Sequence, residues 1–465
     1  MEKYFLAVDI GASSGRHILG SVQNGKLTLE EVYRFSNGMI KKNGSLCWDT
    51  EALFASVVEG MRECAKAGKI PSYMAIDTWG VDFALIDAQG NLVGDTVGYR
   101  DSRTDGMDKY VEELVPATEL YARTGIQKQL LNTIYQLMAL KINKPDDLER
   151  AEHLLMIPDY LGYKLTGVMH QEYTEASTTG LLDAKGCEWD MELTQKLGYP
   201  AKLFGKLSMP GDTLGGLKAD IAQYVGYDVT VVHAPSHDTA SAVLAVPADK
   251  DDFIYISSGT WSLMGTENFE ANLSDKARDF NFTNEGGYER RYRFLKNIMG
   301  LWIIQSIKKE AERYSFPELS AMARAVGDTD ARIDVNDKAF LAPENMTEAI
   351  REWCGRPDMP LDELLCCVYH SLAECYADTA RQLETCYGTS YKALHIVGGG
   401  SRDAFLNELT ARKCGLEVIA GPTEATAIGN IVCQMLACGD ISSVKDARAL
   451  VARSFDVTHF NCHEV

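Results

Sequence analysis

FLAVDIGASSGRHILGSV, residues 5–22, is an apolar run that enters a Gly/Ser turn and leaves it as a second β-prone run. Small residues in such a turn let backbone N–H groups face outward, so the stretch reads as a β-hairpin with an open turn. The same form returns far along the chain in IYISSGTWSLMG, residues 254–265. Two similar hairpins suggest two similar domains. The acidic, turn-like VPADKDD, residues 246–252, marks the boundary between them. The division expected is residues 1–247 and 248–465, and a chain of 465 residues is too long for one ordinary core.

The rest of the chain alternates strand and helix, the pattern of an α/β protein. YMAID, residues 73–77, begins a strand that leads into TWGVDFALID. Val229–His233 is a buried-strand run followed by APSHD and the small-residue helix TASAVLA. From Leu361 to Tyr387, Leu361, Leu364, Leu365, Val368, Leu372, Tyr376 and Leu383 recur at helical spacing on broadly one face, and Gly388 stands where a C-terminal cap belongs. LHIVGGGSRDAFLNEL then reads strand, glycine turn, helix. Asn297 and Gln305 in LKNIMGLWIIQS lie eight residues apart, a spacing that on a helix would leave them roughly on one face and two turns apart.

A net charge of −20 argues against a general affinity for nucleic acid or anionic lipid. No apolar run approaches the ~20 residues of a membrane helix, and the N-terminus has no basic region, so a cytoplasmic chain is expected. The twelve cysteines are scattered and lack zinc-site spacing. They read as small buried apolar residues, with Cys354 and Cys367 able to approach one another.

In an acidic protein a polyanion must be held by local devices, and glycine turns, helix N-termini and Mg²⁺ are those available. The first turn, Gly11-Ala12-Ser13-Ser14-Gly15-Arg16, lacks the lysine of a Walker loop. Asp9, at a strand end beside it, suits Mg²⁺ directly or through water. Ser257-Ser258-Gly259-Thr260-Trp261 is the second such turn, and Gly398-Gly399-Gly400 a third glycine run. Each reads either as a phosphate or nucleotide cradle or as a tight packing turn.

Ser236-His237-Asp238-Thr239 lies between a strand and a helix. Asp238 is either a base for a hydroxyl attacking a γ-phosphoryl group, or, like Thr239, a helix N-cap. Asp77-Thr78-Trp79-Gly80-Val81-Asp82 reads as a sugar wall or as a structural corner. Asn297 and Gln305 read as sugar and phosphate contacts or as partners for buried backbone.

Together these motifs resemble the FGGY carbohydrate kinases of the actin/hexokinase superfamily. VDIGASSGR, IDTWGVDFALID, GYRDSRT, MIPDYLGYKLTG, EYTEASTTGLLD, SHDTASAV, SSGTWSLMG, TNEGG, RFLKNIMGLW, HIVGGGSR and GPTEATAIGN occur in the family's order over almost the whole chain. SHDTASAV and NIMGLW are similar to the form of the members that act on L-rhamnulose. The resemblance implies two ribonuclease-H-like (actin/hexokinase-type) domains with an inter-domain cleft that holds ATP, Mg²⁺ and a small ketose. It implies that Ala12, Ser13, Ser14, Gly15 and Arg16 form the first phosphate loop, and that Thr260, Gln305, Gly399 and Gly400 contact ATP. Gly80, His237, Asp238, Thr239 and Asn297 would contact the sugar, with Asp238 the catalytic base and Asp9 the Mg²⁺-associated aspartate. The implied reaction converts L-rhamnulose and ATP to L-rhamnulose 1-phosphate and ADP. Another ketose, such as fuculose or xylulose, and an actin-like assembly or regulatory protein are the alternatives.

Overall fold

The structure, a computed structural model, describes residues 2–250 and 252–462, so Asp251 of the expected boundary stretch lies outside the described residues. The chain forms two compact units. The first comprises Met1–Ala245, Asn268–Phe294 and Thr426–Ser454, and the second Val246–Glu267, Leu295–Ala425 and Phe455–Val465.

In the first unit the opening stretch forms the strands Tyr4–Ile10 and Ser14–Gln23, paired antiparallel, with Lys26–Ser36 antiparallel beyond them. Pro71–Thr78 and Thr230–Val232 extend the sheet in parallel on the other side, and Thr213–Gly215 closes it antiparallel. Leu6, Val8 and Ile10 pack with Leu53, Val57, Met61 and Cys64 of the helix Thr50–Lys66, which Asp49 caps by accepting from the Ala52 amide. The helix Ala425–Ala437 covers the opposite face. There Ile431 sits so close over Gly20 that a Cβ on Gly20 would lie 2.8 Å from it. With both faces covered, the central strand is apolar along nearly its whole length rather than alternating.

The second unit repeats the scheme. Ile254–Ser258 pairs antiparallel with Ser262–Asn268 and parallel with Ala393–Val397; Glu417–Ala420 follows in parallel and Thr458–Phe460 antiparallel at the edge. The helix Leu361–Tyr387 lies on the crossover between the hairpin and Ala393–Val397, and Gly388 ends it in the left-handed conformation at φ 63°. Of its expected inward set, Leu364, Leu365, Val368, Leu372, Tyr376 and Leu383 are buried, while Leu361 in the first turn is half-buried.

Two local expectations are corrected. LKNIMGLWIIQS is not one helix: Asn297 lies on the strand Tyr292–Ile298 and Gln305 on the helix Trp302–Glu310. The break falls at Gly300, which passes flush against the second hairpin turn. A Cβ there would lie 2.5 Å from the Ser262 amide nitrogen. Nor does the triple glycine enter its helix directly. A 3₁₀ turn, Gly399–Arg402, intervenes, and the helix Ala404–Cys414 starts only after Asp403, whose side chain accepts from the Leu406 amide. Among the described residues none of the twelve cysteines forms a disulfide. Among the described residues no helix is long and apolar enough to cross a membrane.

Candidate active site

In the first unit the polar residues gather at the ends of the central strands. The register sets Arg16 opposite Asp9 and Asp9 opposite Asp77, a row across three strands. Arg16 Nη2 donates to Asp9 Oδ2 at 2.6 Å. Asp77 is fully buried and accepts from Asn430 Nδ2 at 2.6 Å, while its Oδ1 is buried with no hydrogen-bond partner. Burial first, and then the charge of Asp9, push the Asp77 carboxyl well above the usual carboxylate range. The turn beside this row closes with the Gly11 amide on the Ser14 carbonyl at 2.9 Å and leaves Ser13 exposed at its tip. Gly15 is glycine for packing, since a Cβ would sit within 2.1 Å of the Phe35 ring.

The loop of Ser236–Thr239 docks on the end of Pro71–Thr78, where the Thr78 amide donates to the Ser236 carbonyl at 2.8 Å. Gly80 follows two residues on in the chain and packs toward Thr178, while His237, Asp238 and Thr239 are consecutive on the docked loop. The N-cap of the helix Asp238–Leu244 is His237, without a side-chain capping bond, and Asp238 is its first residue rather than the cap. The Thr239 hydroxyl donates to Asp238 Oδ1 at 3.1 Å. Asn297 belongs to the other unit.

Trp79 and Asp82 form a structural corner. Asp82 is buried and accepts from the indole nitrogens of Trp48 (2.6 Å) and Trp79 (3.0 Å), the Tyr99 amide and Gln136. Between Gly80 and Asp82, Val81 adopts φ 69°, a conformation unfavourable for a β-branched residue. The Thr178 hydroxyl receives its amide, and Thr133 and Gln136 donate to its carbonyl.

Beneath the loop lies a buried polar layer. Glu172 Oε2 accepts from the Thr174 hydroxyl at 2.6 Å and from the Ser236 amide at 3.3 Å, and the His237 amide donates to Thr174 Oγ1 at 3.2 Å. Burial pushes the Glu172 carboxyl up to about 7. On the side-chain end of His237, Nε2 stands 3.5 Å from Asp238 Oδ1, while Nδ1 meets Arg293 Nη2 at 3.1 Å and Glu285 Oε2 at 3.4 Å.

In the second unit the residues expected at ATP converge on the second turn. Gly259 N–H closes it on the Trp261 carbonyl at 2.8 Å, and the Thr260 carbonyl receives the amide of Trp302, the first residue of the helix that carries Gln305. The glycine run abuts the same turn. Cβ atoms on Gly398 and Gly400 would lie 2.9 Å from the Ser258 carbonyl oxygen and 2.0 Å from its hydroxyl, whereas Gly399 is exposed. Two of the three glycines thus serve close packing.

Glu172, Glu285, Arg293 and Asn430 did not stand out as site residues in the sequence, and Asp77 did so only as a carboxylate of the candidate sugar wall. The available signal was a charged or amide side chain inside an otherwise apolar stretch, as for Arg293 in YRFLKNI and Asn430 in TAIGNIV.

Comparison with known proteins matches the FGGY family of carbohydrate kinases, N-terminal domain, to residues 4–245, and its C-terminal domain to residues 254–438. The chain is 46% identical over 463 residues to a rhamnulokinase of Halalkalibacterium halodurans, with 98% of each chain covered. It is 44% identical over 462 residues to a rhamnulokinase of Oceanobacillus iheyensis, again with 98% of each covered. Among solved structures, a ligand-bound xylulose kinase from Lactobacillus acidophilus superposes with a TM-score of 0.83 at 17% identity, covering 99% of this chain and 94% of that one.

Proposed function

The chain belongs to the FGGY family of carbohydrate kinases and is a sugar kinase with ATP as co-substrate, and we propose that it phosphorylates L-rhamnulose at O1 with Asp238 as general base. One observation carries the assignment of the base. Asp238 keeps a side chain 34% exposed, while the carboxylates gathered around it, Asp9, Asp77, Asp82, Glu172, Glu175 and Glu285, are buried. Only Asp238 among them is open to a substrate hydroxyl.

The chemistry asked of it is small. The proton of the C1 hydroxyl passes to the Asp238 carboxylate as O1 attacks the γ-phosphorus. The bond from that phosphorus to the β–γ bridging oxygen breaks, and ADP leaves with the electron pair. Positioning and charge stabilisation supply most of the rate. The acceptor is held by Gly80, His237 and Thr239 with Asn297, and ATP by the turn Ala12–Arg16 together with Thr260, Gln305, Gly399 and Gly400. The product, L-rhamnulose 1-phosphate, belongs to L-rhamnose breakdown.

The residues present fit Mg²⁺. Asp9 offers hard carboxylate oxygens, and Asp77 beside it holds a buried Oδ1 with no partner. Among the described residues no three His, Cys, Asp or Glu form a cage for a metal, which suits an ion bound mainly through phosphate oxygens and water. Asp9 would hold it, and when bound it supplies neutralisation of charge on the transferring phosphoryl group.

A coupled ADP-release assay over ketoses and polyols tests the substrate. L-rhamnulose is expected to give the highest kcat/KM; preference for fuculose or xylulose would replace it as the acceptor. Asp238→Ala is expected to lose sugar phosphorylation by at least about a hundredfold. Unchanged turnover in that variant removes Asp238 from the mechanism.

A further inference from the structure

Behind His237 lies a group of charges that the phosphoryl-transfer reading leaves unused. Arg293 is 0% exposed, and its Nε donates to the Gly286 carbonyl at 2.8 Å. Its Nη2 lies 3.2 Å from Glu285 Oε2 and 3.1 Å from His237 Nδ1, while its Nη1 is buried with no hydrogen-bond partner. Burying a guanidinium and a carboxylate is costly even when they pair, and here a donor is left unmade as well. Stability alone is a poor reason for such an arrangement. Its one outlet toward the acceptor site is His237.

A guanidinium only donates, so the imidazole nitrogen that it faces must accept. In a neutral imidazole the other nitrogen then carries the proton. That nitrogen, Nε2, is the one beside Asp238 Oδ1. We propose that Arg293, paired with Glu285, is a positioning residue that fixes His237 in the Nε2–H form, so that the ring donates toward Asp238 and the acceptor sugar. This rests on the reading of Asp238 as the base.

The arrangement explains each member. Nε2–H toward Asp238 orients its carboxylate, and it offers a donor to a sugar oxygen next to the hydroxyl being deprotonated. Glu285 neutralises Arg293. Without Arg293, Glu285 Oε2 at 3.4 Å becomes the natural acceptor for Nδ1–H. The tautomer would then reverse, and the Nε2 lone pair would face the Asp238 carboxylate. The charged groups facing His237 are Asp238 on its own helix and Glu285 and Arg293 behind it; Glu172 reaches it only through Thr174 and its backbone.

The test is ¹H–¹⁵N correlation of the imidazole nitrogens in the intact protein carrying ¹⁵N-histidine, with His237 assigned by its disappearance in His237→Asn. The wild type at pH 7.5 should show Nε2–H; an Nδ1–H or doubly protonated ring overturns the proposal without recourse to a variant. Arg293→Met should reverse the tautomer and lower kcat/KM for L-rhamnulose by about tenfold to a hundredfold, leaving the KM for ATP unchanged. In Arg293→Met/Glu285→Gln the new amide can donate to Nδ1, so the Nε2–H form and most of the activity should return. A reversed tautomer with unaltered turnover also overturns the positioning role. Asp238→Asn separates the two ideas: full turnover there defeats the base assignment, whereas the wild-type tautomer is read independently of it.

Discussion

Glu172 is the side chain on which the placement of Ser236 and His237 rests, through its own bond to the Ser236 amide and through Thr174 to the His237 amide. Its carboxyl moves from an ordinary 4.5 to about 7, burial being the main cause. Between those values the folded protein keeps the proton and the unfolded chain has released it. Stability is therefore full at pH 4.5 and below, falls as pH rises to about 7, and is flat beyond. For this group the loss is on the order of 3 kcal/mol. Asp159 and Glu175, also raised by burial, add slopes of the same sign. Glu172→Gln should therefore flatten the wild-type slope without abolishing it, which urea unfolding at several pH values between 5 and 8 measures. Parallel profiles for the two proteins would exclude Glu172 as a source of the slope. At this scale the sequence was legible where position is set by one short motif, as with Asp9 and Gly80 beside their turns. It was silent on Glu172 and Arg293, whose partners at the loop lie 64 and 56 residues away.

Gly429 decides how two elements meet. It lies on the helix Ala425–Ala437, and a Cβ there would fall 1.7 Å from the Ser241 carbonyl oxygen on the helix that begins with Asp238. The obstacle is backbone, so no rotamer change relieves it. Gly429→Ala should cost about 1–3 kcal/mol and, by displacing the helix of Asp238, also lower kcat/KM for the sugar. Gly38→Ala, which meets nothing within 4 Å, is the control and should stay within about 0.5 kcal/mol. Denaturant midpoints with acceptor kinetics read both, and equal midpoints would show that the helices separate at no cost. The elements themselves were largely readable. Both hairpins and the long helix 361–387 follow from periodicity and punctuation that are local in sequence. The failure at residues 295–306 is instructive, because apolar spacing there fits a helix as well as a strand. What breaks the segment is Gly300 pressed against a turn almost forty residues earlier, a contact that spacing does not encode.

At the scale of the whole molecule, one architectural plan occurs twice: a hairpin with a small-residue turn, extended by parallel strands. The echo between residues 5–22 and 254–265 announced it. The membership of the units was less visible, since Asn268–Phe294 and Thr426–Ser454 belong to the first unit by packing rather than by position in the chain. The proposed roles divide only in part along the same lines. Gly80, His237, Asp238 and Thr239 fall in the first unit, and Thr260, Gln305, Gly399 and Gly400 in the second, but the phosphate turn Ala12–Arg16 belongs to the first and the sugar contact Asn297 to the second. Neutralising Asp238 leaves the fold around the second turn untouched, so Asp238→Asn should bind ADP as the wild type does. A nucleotide at a hundred times its Kd stabilises a protein by about 2.7 kcal/mol, and that increment should persist in the variant. The increment from L-rhamnulose should shrink, because the carboxylate proposed to face the sugar hydroxyl is gone. Gln305→Ala should do the reverse, with a weaker ADP increment and an intact one from the sugar. Denaturant unfolding of each variant with each ligand measures the four values. Loss of the ADP increment in Asp238→Asn would mean that this carboxylate serves the nucleotide, and the separation of its role from that of Gln305 would fail.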